Sequence, residues 1–207
     1  MNKPNIILSG VIALLLAACG NKQSDNKTED VQTSKTPEKT KSDVIVISAQ
    51  SEPDTLKGSL TAQADGIVGG TEIKISYHSP AVRGRIVWGG LVPYDKVWVT
   101  GAHLATSIEF NHTLLIGGKE ITAGTYALFT IPGKDEWTVI INRNWKQHLT
   151  DKYDPKDDLV RVKVRPEVEE NNQERLRYVV EADDNSEGEI VVYWEKLEVS
   201  LPVKSTH

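Results

Sequence analysis

Apolar and polar residues alternate with a period of two along most of the chain from about residue 60 to the C-terminus. Ile73, Ile75 and Tyr77 alternate with Glu72, Lys74 and Ser76, and Val160, Val162 and Val164 with Arg161, Lys163 and Arg165. Successive side chains of a strand point to opposite faces, so this pattern predicts strands with one buried and one wet face. Leu176, Tyr178 and Val180 against Arg175 and Arg177 predict another such strand, and Trp137, Val139 and Ile141 share a face in a fourth. Glu189 to Val203 reads as one long run, with Pro202 tolerated near its end or on an edge. No stretch sustains helical spacing; Trp145 to Lys152 has room for a turn or two.

Turn chemistry separates these runs. Gly117-Gly118 between Leu114-Leu115-Ile116 and Lys119-Glu120-Ile121 predicts a two-residue hairpin, because both glycines accept the positive φ of a type I′ turn. Asp183 to Gly188 predicts a longer hairpin loop. Roughly nine or ten short strands with few or no helices predict an all-β, antiparallel β-sandwich, with a closed barrel as the alternative. No internal repeat is visible.

The N-terminus obeys a different pattern. Lys3 precedes an apolar run from Ile6 to Leu16 that is too short to span a bilayer, which reads as an export signal. The run ends in Leu16-Ala17-Ala18-Cys19, which resembles the lipobox of bacterial lipoproteins. That resemblance implies a signal peptide at 1–18 and acyl chains such as palmitate on Cys19, the only cysteine. The alternative is an ordinary export signal cut after Ala18. From Gly20 to Asp43 the only large apolar residue is Val31, so residues 19–43 are expected to be a lipidated, disordered tether. Residues 44–207 are then expected to form a single β-sandwich domain. Gly20 rather than an aspartate after the cysteine favours the outer membrane, facing the periplasm or the cell surface.

Charge narrows the partners. The chain carries 24 Lys and Arg against 29 Asp and Glu, a net charge of −5. Loss of residues 1–18 removes Lys3 alone among the charged residues and leaves −6. A mildly acidic surface lacks the electrostatic footprint of a nucleic-acid binder. Attachment to a membrane is expected through acyl chains, since no basic amphipathic helix is present. With Cys19 acylated, no thiol remains for a disulfide or a thiolate metal site.

No catalytic motif stands out, and no cofactor is called for. Asp183 to Gly188 imitates the first half of a calcium loop, but Trp194 occupies the position that needs a bidentate Glu. Asp151, Asp154, Asp157 and Asp158 surround Pro155 and suit either oxygen ligation or a plain surface loop. His78 and His103 are candidate metal ligands, with His112 as a third, although their spacing matches no standard site. The densest stretch of unusual residues supplies the candidate ligand-binding set: Tyr77, Arg83, Arg85, Trp88, Tyr94, Trp98 and His103. Aromatic faces and guanidinium groups in one irregular connection can line a concave site or simply close the end of a sandwich. Trp98 is expected to share the parity of Lys96 and Thr100 and to be the more exposed tryptophan, with Trp88 the more buried.

The same region carries a family resemblance. Tyr77-His78-Ser79-Pro80, Gly84-Arg85, Trp88-Gly89, Leu91-Val92-Pro93-Tyr94, Trp98 and Thr100-Gly101-Ala102 resemble the opening motif of a family of bacterial lipoproteins catalogued as a domain of unknown function, number 2911. The likeness continues through Ala105 to Phe110, the Gly117-Gly118 hairpin, Ala123 to Pro132 and Glu136 to Ile140, and spans essentially Leu60 to Val203. The chain departs at Val99 and His103, where the family more often carries Arg and Asn, and the second departure weakens a metal role for His103. The resemblance implies a secreted, lipid-anchored β domain and assigns no activity. The resulting expectation is a non-enzymatic envelope module that binds a ligand or protein partner. The alternatives are a hydrolase or metal-dependent enzyme acting on polysaccharide or lipid, with Glu109 as a candidate acid on the wet face, and a structural subunit that pairs through an edge strand.

Overall fold

The computed structural model describes residues 44–183 and 186–207. The predicted export signal, Cys19 and the tether lie outside the described residues. Ten strands form: β1 (Leu60–Val68), β2 (Thr71–Ser79), β3 (Thr106–Phe110), β4 (Leu114–Ile116), β5 (Lys119–Ile121), β6 (Gly124–Ile131), β7 (Trp137–Asn142), β8 (Asp158–Val164), β9 (Glu167–Ala182) and β10 (Glu187–Ser205). They build two antiparallel sheets, ordered β1-β2-β3-β6-β7-β8 and β5-β4-β10-β9. A single 3₁₀ turn at Pro155–Asp157 is the only helical piece among the described residues. The fold is the all-β sandwich that the alternation predicts, and Trp145 to Lys152 forms bends and turns without helix.

Local sequence explains most elements. In β2, Ile73, Ile75 and Tyr77 are buried while Glu72 and Lys74 face water. In β8 the valines are half-buried and Arg161 and Lys163 exposed. Gly117 and Gly118 have φ of 56° and 78° and close the β4–β5 hairpin, as only residues tolerant of positive φ can.

Tertiary packing overrides the pattern at three places. All six residues of β7 are buried, because a second apolar cluster of Val99, Ala105, Ala127, Phe129 and Ile140 covers the outer face of the six-stranded sheet. Thr100 does not share a wet face with Lys96. It is fully buried at φ 50°, and that left-handed turn breaks the alternation on which the parity argument rested. Arg175, at an expected wet position of β9, is 1% exposed. Residues 44–58 run past it as a strap, and Asp54 neutralises its charge.

Strand β10 turns a corner. Its pairing with β9 shifts register between Tyr193 and Glu195 and again before Leu197, with Glu195 at φ 57°. Bulges bend a strand. Here the bend brings Ser205 back to donate its N–H to Ser186 O at 2.8 Å. The two sheets meet where β1 crosses β9: a Cβ on Gly66 would lie 2.5 Å from Val180 Cβ.

Candidate functional site

Residues 80–105 connect β2 to β3 without strands of their own. The first part forms a finger. Leu91 N–H donates to Ile86 O and Val92 N–H to Val87 O, and Gly89 at φ 77° lets Tyr94 pack against its bare Cα. Trp88 points from this finger into a group of four indoles. Its ring centroid lies 4.9 Å from that of Trp137, 5.6 Å from Trp194 and 5.9 Å from Trp98, and Trp98 stacks on Trp194 at 5.7 Å. Trp88 and Trp98 are both half-buried against the main core, so the expected contrast between them is not seen. The buried Nε1 groups of Trp88, Trp137 and Trp194 have no hydrogen-bond partner among the described residues. The steep interplanar angles, 70° and 82° from Trp88, offer aromatic faces to such donors.

The second part of the connection first pairs with β6 of the six-stranded sheet and then turns back toward β3. Trp98 and Thr130 exchange backbone hydrogen bonds at 2.8 and 3.0 Å, and Trp98 Nε1 donates to Gly101 O at 3.1 Å. His103 has φ 59°, and its carbonyl accepts from Leu149 N, itself at φ 44°. His103 and Leu149 are thus two non-glycine residues held in the left-handed region side by side, while Thr100, at φ 50°, is buried. Such strain persists only where the surroundings enforce it, and it clusters at functional sites.

This region contains a groove of about 470 Å³. Its floor is the outer face of β1 and β2, with Thr61, Ser76 and His78; its walls are Leu104, Ala105 and the Trp145–His148 loop. Leu104 is 53% exposed. His78 and His103 meet edge to face, with centroids 5.3 Å apart. Burial, and then the neighbouring His103, hold the His78 imidazole below its ordinary pKa, so the neutral ring is favoured. A mostly apolar groove with a few polar groups at its rim suits a small apolar or aromatic molecule.

The candidate residues therefore scatter. Tyr77 and His78 line the groove and His103 adjoins it. Tyr77 is buried and accepts a hydrogen bond from Tyr178 N–H, and burial pushes its phenol up to about 12. Trp88 and Trp98 belong to the indole cluster, Tyr94 backs the finger, and Arg83 and Arg85 are exposed beside it. His112 lies elsewhere, stacked on His207 at 3.9 Å. Among the described residues no group of three or more His, Cys, Asp or Glu is placed to hold a metal ion. The acidic loop serves local structure: Asp154 caps the 3₁₀ turn, Asp158 accepts from Asn142, Tyr153 and Arg161, and Asp151 accepts from His148. Sequence reasoning missed Leu104, Trp145 and His148. The one signal for them was a tryptophan standing in a polar stretch without periodicity.

A second cleft, of about 360 Å³, lies where β9 and β10 turn the corner against the strap. It contains Glu169, Arg177 and Tyr193, with the Arg177 guanidinium 4.5 Å from the Tyr193 ring centroid. Burial and the facing Glu169 raise the carboxyl pKa of Glu198 at its edge.

Neither the curated proteins nor the solved structures contain a match to the chain. A family model described as "Protein of unknown function (DUF2911)" matches residues 59–203, well over half of the chain and all ten strands but for the last two residues of β10. The chain belongs to this family.

Proposed function

We propose that the protein is a lipid-anchored module of the cell envelope, held at the outer membrane through acylated Cys19, which binds a small apolar or aromatic ligand in the groove over the six-stranded sheet. The observation that carries the binding role is the groove itself: an apolar trough between His78 and Trp145, with the left-handed residues His103 and Leu149 each next in the chain to a wall residue. Leu104, 53% exposed, places an apolar side chain on the wall of this groove. The Leu-Ala-Ala-Cys ending supports the anchor and Gly20 the choice of membrane.

N-phenyl-1-naphthylamine, an apolar fluorophore, tests the groove. It should bind the wild-type chain with a rise in fluorescence, and Leu104→Glu should weaken binding at least tenfold while leaving the urea midpoint unchanged. Equal binding by both proteins would end the groove reading. Fatty-acid labelling tests the anchor separately: Cys19→Ala should lose all label, because acyl transfer needs the thiol.

A further inference from the structure

Beside the finger, apolar and cationic side chains share one exposed surface. Ile86 is 79% exposed, and Leu91, whose N–H is bonded to Ile86 O, is exposed as well. Leu56 of the strap joins them, since its carbonyl accepts from the Arg83 guanidinium. Arg83 and Arg85 precede Ile86 in the chain and Lys57 follows Leu56, and all three cations are exposed. Among the described residues both guanidinium groups donate to backbone carbonyls alone, Arg83 to Leu56 O and Arg85 to Ala81 O and Val82 O. None of the three cations forms an ion pair among the described residues, in a chain that is acidic overall. Two carboxylates near the patch are already used. Asp54 is closed on Arg175, and the buried Glu174 accepts the Arg83 backbone N–H at 2.8 Å.

We infer that this surface, with Ile86 and Leu91 at its centre, docks the domain onto an anionic phospholipid bilayer. A bilayer interface takes branched apolar side chains at loop tips into the acyl boundary and pairs flanking cations with lipid phosphates. A protein partner would instead be expected to supply carboxylates against Arg83 and Arg85. The inference rests on the proposed anchor only in that the anchor holds the domain near its own membrane, where a weak surface contact is enough. Docking by this face fixes the orientation of the domain at the bilayer. It also turns the β1–β2 hairpin away, since Val68 pairs with Thr71 at the end of β1 opposite Leu60 and Ser79, about 30 Å along the strands.

Hydrogen exchange on the full chain tests this. The chain is attached to vesicles through its own acyl groups or, if mass analysis shows Cys19 unmodified, through that thiol coupled to a maleimide lipid. The docking test therefore stands even if the lipoprotein reading fails. Amides of residues 84–91 should be protected on vesicles containing one-third phosphatidylglycerol and unprotected on pure phosphatidylcholine, while those near Gly69 exchange alike on both. Half-molar salt should reverse the protection. Arg83→Gln and Arg85→Gln should each lower it about fivefold, the size expected for one basic residue at an anionic surface. Ile86→Asp, at a position that is mostly solvent already, should abolish it without altering stability. Equal exchange on both vesicle types, or protection indifferent to Arg83 and Ile86, would overturn the proposal.

Discussion

Arg175 on β9 and Asp54 on the strap, 121 residues apart in the chain, are joined through both carboxylate oxygens, with Nη2 to Oδ1 at 2.8 Å and Nε on Oδ2. The remaining donors reach the carbonyls of Leu56 at 2.9 Å, Gly58 at 3.2 Å and Ser79 at 3.3 Å. One buried guanidinium thus fastens the strap to the end of β2 and to the edge strand β9, which explains how an arginine is fully buried in a sheet that otherwise alternates.

Asp54→Ala should cost about 3 kcal/mol in urea unfolding, the lower end for breaking a buried pair, because the Asp54 carboxylate is itself a quarter exposed. Arg175 holds that carboxyl far below its ordinary value of 3.8. A depressed acid contributes stability above its unfolded pKa and loses it as pH falls, so wild type should weaken from about pH 5 downward more steeply than the variant. Replacing both partners, Arg175→Met with Asp54→Ala, should recover part of the loss.

Trp88→Ala and Trp98→Ala should destabilise by similar amounts, about 3 kcal/mol each, since both indoles pack into one cluster with Trp137 and Trp194. Chemical denaturation reads this directly. A Trp98→Ala variant with an unchanged midpoint would place that ring on the surface and return it to the candidate ligand contacts.

Glu198→Gln should raise the melting temperature at pH 7. The Glu198 carboxyl titrates above its ordinary value because burial and Glu169 oppose its charge. A carboxyl with a raised folded pKa contributes stability in its protonated form and loses it as pH rises, so the gain from glutamine should vanish in acid. A destabilised variant at pH 7 would show that the charged form is favoured there.

His78 gives the groove a pH dependence. Its imidazole titrates below 6.5 in the folded chain, so the unfolded chain takes up the proton first and stability should decline as pH falls below 6.5. Fluorophore binding should weaken over the same range, because imidazolium in an apolar trough beside His103 is poorly solvated. His78→Gln should flatten both curves, and an unaltered binding profile would remove His78 from the groove.

The alternation in β2 and β8 and the paired glycines at 117–118 were sufficient by themselves to determine an antiparallel all-β domain, because strand period and turn chemistry are local properties of adjacent residues. Tyr77-His78-Ser79-Pro80 and the tryptophan blocks likewise located the family. Tertiary structure decided what lies on the outer face of the six-stranded sheet. Thr100, His103 and Leu149 turn through the left-handed region, and no period survives such a turn. Ile140, Phe129 and Trp145 could not be read as one cluster, since their contact depends on where two irregular connections fold back. The same holds for Arg175 and Asp54. A charge at a wet parity is ordinarily exposed, and only a strap arriving from more than a hundred residues away makes its burial affordable.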